Sequence, residues 1–183
     1  EEDVYAELGM PWIPPEARED RGELDLDESP GLIEVDDIKA ELHAHTTASD
    51  GRLSLDDLVE AAEARGFHTI TVTDHSRSSV QAGGLSIERL EEQRAEIEQA
   101  RERFGERITI LHGSEVDILT DGSLDYDDDL LAWLDVVVAS PHAALSQDPK
   151  TATARLLRAI ENPRTNVIGH PTGRIIGRRK GLE

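Results

Sequence analysis

Glu41-Leu42-His43-Ala44-His45-Thr46-Thr47-Ala48-Ser49-Asp50-Gly51 places two histidines one residue apart and a carboxylate five residues after the second. If Ile38 to Thr46 is a strand, side chains alternate across its faces, so His43 and His45 point to the same side. Two imidazoles then converge on one point at the end of a strand, just before a loop, where a transition metal can sit. A lone His-x-His is equally a solvated strand end. The reading therefore turns on whether further ligands arrive downstream.

Composition narrows the field. The 183 residues suit one domain with a sizeable core, or a piece of something larger. No apolar run approaches the roughly 20 residues of a membrane span. The start, Glu1-Glu2-Asp3-Val4-Tyr5, lacks both the basic region and the apolar stretch of a signal peptide, so a cytoplasmic location is expected. It also lacks an initiator Met, which suggests a chain that begins inside a longer protein. Asp plus Glu number 39 against 19 Lys plus Arg, a formal charge of −20 that repels nucleic acid unless salt or a local basic patch offsets it. Such carboxylate density with only three lysines (Lys39, Lys150, Lys180) suits a protein kept soluble at high salt, as in halophiles. There is no cysteine, so disulfides and thiolate metal sites are excluded and any metal rests on His and carboxylate.

Residues 1 to 34 have the character of a tail and an acidic linker. A short helix over Glu1 to Leu8 ends at Gly9, and Pro11, Pro14 and Pro15 then forbid regular structure. From Arg18 to Glu34 the chain is charged and nearly free of aromatics, and the compact domain, residues 35 to 183, is expected to start near Val35. From there strand and helix patterns alternate. Strands are expected at Ile38–Thr46, Thr69–Thr73, Ile108–Val116, Leu134–Ser140 and Asn166–Ile168. Helices are expected over Ser54–Arg65, Ser86–Phe104, Asp127–Trp133 and from Pro149 to about Ile160. Ser54 and Asp57 have the spacing of a capping box, and Asp127-Asp128-Asp129 suits a solvated helix start. This alternation means parallel β-strands with crossover helices, in a barrel or an open doubly wound sheet. In both, ligands collect beyond the carboxyl ends of the strands.

Those ends carry the chemistry. Strand one ends in His43 and His45, strand two runs into Asp74-His75, strand three carries Glu115, strand four is followed by His142 and strand five by His170. Of seven histidines, only His68 and His112 fall elsewhere. His112 lies three residues before Glu115, on the opposite face by parity, and His68 lies at the far end of its strand, so both should be structural. A His and carboxylate set of this size suits two or three divalent ions of the zinc, manganese or iron kind. Multinuclear sites of this type hydrolyse phosphate esters.

His43-Ala-His45, Ser49-Asp50-Gly51, Thr73-Asp74-His75-Ser76, Glu115-Val116-Asp117-Ile118-Leu119, Ser140-Pro141-His142 and Gly169-His170-Pro171 together resemble the PHP (polymerase and histidinol phosphatase) domain. More narrowly, Gly83-Gly84-Leu85, Asp121-Gly122-Ser123-Leu124-Asp125 and Gly169-His170-Pro171-Thr172-Gly173-Arg174 resemble the PHP domain of bacterial and archaeal family X DNA polymerases. The segment from Glu2 to Glu16 is similar to the end of the polymerase thumb that precedes that domain. The resemblance implies an α/β fold, a TIM-like, distorted seven-stranded (βα) barrel of which about five strands are present, with up to three divalent ions, Mn2+ or Zn2+. It implies that His43, His45 and Glu115 hold the first ion, that Glu115 bridges to a second held by His142 and His170, and that Asp50 and His75 bind the third. Asp74 would orient a histidine from behind. The catalytic set would be His43, His45, Glu115 and His142, acting through metal-bound water, with Asp74 in support. The implied activity is a 3′-5′ exonuclease or related 3′-end phosphoesterase on DNA 3′ ends, beside a polymerase domain in the same parent chain and without a membrane partner. The chain stops at Glu183 before the family's last motif, an Asp-x-His, so a partial chain is expected.

Gly173-Arg174-Ile175-Ile176-Gly177-Arg178-Arg179-Lys180 is a basic cluster directly after His170. Arginine forks match phosphate geometry, so Arg174, Arg178 and Arg179 are candidates to grip substrate phosphates, with Arg77 a further one. The competing functions are a stand-alone phosphatase of the histidinol phosphatase type and a PHP domain without catalysis that serves a polymerase structurally.

Overall fold

The computed structural model describes residues 1–182. Two compact units divide the chain after Ile38, four residues later than the composition suggested. Glu34 and Asp37 explain the difference, because each side chain takes a backbone N–H of the other's end of the Val35–Asp37 turn and keeps that turn local. The first unit holds the short helix α1 (Glu2–Glu7), and Pro15 opens a single 3-10 turn over Pro15–Ala17 where no regular structure was expected.

The second unit alternates strand and helix. Its elements are β1 (Ala40–Ala44), α2 (Leu55–Ala64), β2 (Thr69–Val72), α3 (Ile87–Phe104), β3 (Thr109–Asp117), α4 (Asp128–Leu131), β4 (Val136–Ser140), α5 (Pro149–Glu161) and β5 (Val167–Ile168). The helices begin where short polar side chains can take an orphan N–H. Ser54, Ser86, Asp127 and Asp148 accept from the backbone of Asp57, Arg89, Leu130 and Thr151, respectively. Each such cap is worth about 1 kcal/mol.

Among the described residues the sheet has five strands in the order β1-β2-β3-β4-β5, every pairing parallel. A doubly wound sheet reverses its strand order at a switch point. This one never reverses, which decides between the two architectures that alternation alone left open and gives an incomplete (βα) barrel. All five carboxyl ends consequently open on one side. The helices pack against the sheet through two apolar clusters. Val59 of α2 and Ile97, Ala100 and Phe104 of α3 meet Ile70, Val72 and Ile110 in one. In the other, Leu90, Leu131 and Ala159 enclose Val116, Val137 and Ala139. Each large side chain buried this way contributes about 1.5–3 kcal/mol.

The first strand is shorter than its apolar pattern suggests. Its register slips between Glu41 and Ala44, and Thr46 leaves the sheet because Asp74 accepts from both its backbone N–H and its hydroxyl. The slip lets the end of β1 splay, and the loop that follows carries Asp50.

Candidate metal centre

His43 lies in β1 and His45 one residue beyond it, and the two rings still converge, Nε2 to Nε2 at 3.1 Å. The loop that follows turns back sharply, with Gly51 N–H donating to Thr46 O. A Cβ at Gly51 would stand 2.1 Å from His45 O, so the turn closes only without a side chain. The turn sets Asp50 Oδ1 2.8 Å from His45 Nδ1. With Nδ1–H donating to Asp50, the Nε2 lone pair of His45 faces the cluster. His75, three residues past β2, places Nε2 3.5 Å from Asp50 Oδ2.

Glu115 stands at the centre, on β3, with its side chain 2% exposed. Its Oε1 faces His142 Nε2 at 3.3 Å and His170 Nε2 at 2.8 Å. Its Oε2 faces His43 Nε2 at 3.4 Å, His45 Nε2 at 3.3 Å and His75 Nδ1 at 3.2 Å. One carboxylate thus feeds two different groups of imidazoles, one through each oxygen. Neighbouring ligands on a shared ion, each about 2.0–2.2 Å from it, are separated by distances of this order.

Four groups of side chains could hold an ion: His43, His45 and Glu115; His45, Asp50 and His75; Glu115, His142 and His170; and His75, Asp117 and His142. His75 Nδ1 supplies a test of fit. It is buried and has no hydrogen-bond partner, although Glu115 Oε2 is close, because the angle is wrong. An orphaned imidazole nitrogen beside a carboxylate is what a cation would satisfy. The donor set fits the group. His170 adopts φ +24°, a sparsely populated backbone conformation that costs on the order of 1–3 kcal/mol and turns its ring toward Glu115.

Electrostatics agree with that geometry. Burial alone would raise the Glu115 carboxyl, but hydrogen bonds from His142, His170, His43 and His45 outweigh it and hold the group ionised far below the usual range. Burial alone would lower His142, yet its bonds to Asp117 and Glu115 prevail and push it up to about 9. His45 is raised in the same manner, burial being outweighed by Glu115 and Asp50. His75 goes down, chiefly through burial. The Glu115, Asp50 and Asp117 carboxylates are thus charged, and His45 and His142 hold protons that an entering cation would displace, so affinity for a cation should rise with pH.

The structure changes the part of Asp74. It was expected to orient a histidine, but its carboxylate accepts from Thr46 N–H and Oγ, Ser49 N–H and Oγ, and Gln93 Nε2. Asp74 therefore ties the His45–Asp50 loop to α3, and it belongs to none of the four groups. The carboxylate that orients His142 is Asp117, which sequence reasoning quoted within a motif but gave no role. Its Oδ1 accepts from His142 Nδ1, and Ser78 and Ser79 hydroxyls donate to the same carboxylate. The signal was present, since Asp117 lies two residues after Glu115 and shares its face of β3.

Arg155 was also missed. It is buried on α5, and its guanidinium donates to the carbonyls of Ile118, Leu119 and Ala143. It therefore clamps the loop after Asp117 to the loop after His142. Arg77, expected to grip phosphate, instead sets Nε 3.3 Å from Asp125 Oδ1, donates to Asp125 O at 2.6 Å and lies over the Tyr126 ring. Arg174, Arg178 and Arg179 are exposed, and Arg179 Nε donates to Gly173 O at 2.7 Å. His112 and His68 join none of the four groups; His112 is buried and His68 is exposed, bonded to Thr69 Oγ.

Comparison with known proteins adds the family. A family model described as the PHP domain matches residues 41–170. The DNA polymerase/3'-5' exonuclease PolX of Bacillus subtilis (strain 168) is 45% identical over 184 residues, covering 100% of this chain and 32% of that protein. A protein named "Probable phosphatase" from Caldanaerobacter subterraneus is 34% identical over 136 residues, covering 70% of this chain and 50% of that one. A "Probable phosphatase" from Thermoanaerobacter sp. (strain X514) is 31% identical over 134 residues, 70% and 52%. The chain spans about a third of the length of the first and about half of the other two.

Proposed function

The chain belongs to the PHP-domain family, and from that premise we propose that it is a metal-dependent phosphoesterase, the 3′-5′ exonuclease or 3′-end-processing part of a family X DNA polymerase acting in DNA repair. The observation that carries this reading is the Glu115 carboxylate, whose two oxygens each face a separate group of histidines. His43, His45 and Glu115 would hold one ion, Glu115, His142 and His170 a second, and Asp50 with His75 a third. The metals would be Mn2+ or Zn2+, since the set contains imidazole and carboxylate and no thiolate. When bound, such ions supply a water of lowered pKa and positive charge for the phosphoryl oxygens.

The chain's own residues do the rest. Asp50 fixes His45, and Asp117 fixes His142, so that each imidazole offers Nε2 to the cluster. Asp74 holds the Asp50 loop, and Arg155 holds the loops after Asp117 and His142, so the groups are in place before substrate arrives. The likeness to the polymerase spans the whole chain and supports DNA 3′ ends as substrate and a polymerase domain in the parent protein. Residues 1–34 would then be the end of the polymerase thumb with its linker, and 35–183 the phosphoesterase domain. No helix among the described residues is long and apolar enough to cross a membrane, and a DNA-processing role would suit a cytoplasmic location.

A small-molecule phosphatase of the histidinol phosphatase type is the second reading, favoured by the likeness to the two phosphatases. The test compares the full-length protein on a 3′-labelled oligonucleotide and on histidinol phosphate with Mn2+ present. Release of mononucleotides from the oligonucleotide, with little turnover of the monoester, is the expected result. The reverse preference would overturn the DNA reading, and inactivity on both with less than one ion bound per chain would leave a structural role.

A further inference from the structure

Residues 172–182 form a closed projection immediately after His170. Leu182 N–H donates to Thr172 O at 2.8 Å and ties its base, and Gly173 N–H donates to His170 O at 2.8 Å. Further out, Ile175 and Arg179 pair in antiparallel fashion through bonds of 3.0 and 2.9 Å, leaving Ile176, Gly177 and Arg178 as a tight loop. Gly177 takes φ +76°, a left-handed conformation that glycine adopts without strain. At this tip Ile176 is 84% exposed.

An isoleucine this bare at the end of a hydrogen-bonded hairpin contributes nothing to the core. Around it stand Arg174, Arg178, Arg179 and Lys180, all exposed, in a chain whose net charge is −20. The arginine ion pairs among the described residues are made by Arg18, Arg77, Arg101, Arg103, Arg107 and Arg158. None of them belongs to the hairpin. Arg179 and Lys180 also border a cleft of about 490 Å3 shared with Leu145 and Gln147, within the size range of small-ligand sites. An apolar tip ringed by cations matches a nucleic-acid strand, which presents phosphates outside and stacked apolar faces within. An acidic protein surface would meet the cations but offers Ile176 no stacked apolar faces to enter.

We propose that the hairpin is a strand-separating wedge: its cations hold the phosphates at a DNA 3′ end while Ile176 inserts against the terminal bases. This rests on the reading of the neighbouring cluster as a DNA 3′-end phosphoesterase. A terminal nucleotide stacked in a duplex keeps its phosphodiester away from a recessed cluster, and unstacking it costs a few kcal/mol. Apolar side chains pushed between base steps, Ile included, are a known means of offsetting that cost. His170 at the hairpin's base would receive the freed strand.

The experiment uses full-length, metal-loaded protein and a recessed DNA 3′ end with a nuclease-resistant terminal phosphorothioate linkage and 2-aminopurine as the terminal base. Binding by the natural protein is expected to raise 2-aminopurine fluorescence several-fold, reporting unstacking. Ile176→Ser should bind, by anisotropy, within a few-fold of the natural affinity and leave the fluorescence near that of free DNA, while Ile176→Leu should retain the rise. Arg174→Ala and Arg178→Ala should each weaken binding and lower the salt slope by about 0.7–0.9. An undiminished rise with Ile176→Ser overturns the wedge. A natural protein that cleaves unmodified DNA but gives no rise also overturns it and leaves the phosphoesterase reading standing, whereas failure to bind or cleave DNA removes both. A fall in melting temperature with Ile176→Ser, without the fluorescence effect, would assign the tip to a contact within the parent protein instead.

Discussion

Replacing His112 by leucine should remove a pH-dependent penalty that the natural chain carries. His112 lies on β3, 3% exposed, and neither of its ring nitrogens has a hydrogen-bond partner. Burial drives its pKa from 6.5 down to about 4, opposed by Asp135 and Glu98 and aided by Arg101 and Arg94. The folded chain therefore holds a neutral imidazole, whereas the unfolded chain takes a proton near pH 6.5. Above that pH the group costs nothing through protonation, and stability is lost progressively as the pH falls from 6.5 to about 4. A fall from 6.5 to about 4 is worth about 3 kcal/mol, at about 1.4 kcal/mol per pH unit. Urea unfolding of both proteins at pH 7.5, 6.5, 5.5 and 4.5 measures it. At pH 7.5 the two should agree within about 1–2 kcal/mol, because leucine also removes two unpaired polar atoms. At pH 4.5 the leucine protein should have gained about 2–3 kcal/mol relative to the natural one. Parallel loss in both proteins would refute a buried, neutral His112 and with it the face assigned to that residue on β3.

Asp117→Asn should weaken divalent-metal binding about 10–100-fold, measured by chelator competition, because His142 loses the carboxylate that fixes its tautomer. Unchanged affinity would show that Asp117 does not orient the ring. Arg155→Met should cost about 2–3 kcal/mol in denaturant unfolding, since it leaves the buried Ile118 carbonyl without a donor, removes the Ala143 bond and leaves Leu119 O only the Gly122 N–H. A loss under about 1 kcal/mol would mean that water replaces the guanidinium. Gly51→Ala should displace the His45 backbone, whose oxygen lies 2.1 Å from the new Cβ, and lower metal affinity while the core stays folded by circular dichroism.

The fold was legible where local patterns and tertiary packing agree. Val59 and Ala62 of α2 and Leu90, Ile97 and Phe104 of α3 recur at helical spacing and are the side chains that reach the core. Ser54, Ser86 and Asp148 announce their helices because a cap acts over three residues. The metal-centre residues were legible for a related reason: parallel strands place whatever follows them on one side, so His43, His45, His75, Glu115, His142 and His170 were bound to meet. What escaped were contacts made across long stretches of chain. Arg155 reaches Leu119 over 36 residues, and Gln93 reaches Asp74 over 19. No spacing in the sequence marks a buried arginine that pairs with carbonyls, nor the slip in β1 and the hold of Asp74 on Thr46 beyond it. Asp117 is an intermediate case, since strand parity pointed to it while its solvated or ligating character depended on where Ser78, Ser79 and His142 came to rest.

The central claim is that Glu115 serves two metal positions at once, one through each carboxylate oxygen. Equilibrium dialysis against Mn2+ or Zn2+, followed by elemental analysis of the natural protein and of Glu115→Gln, tests it directly. More than one ion per natural chain is expected, with two of the bound equivalents weakened together in the variant. A variant that keeps the natural stoichiometry and affinity, or that loses a single ion, would contradict the shared carboxylate.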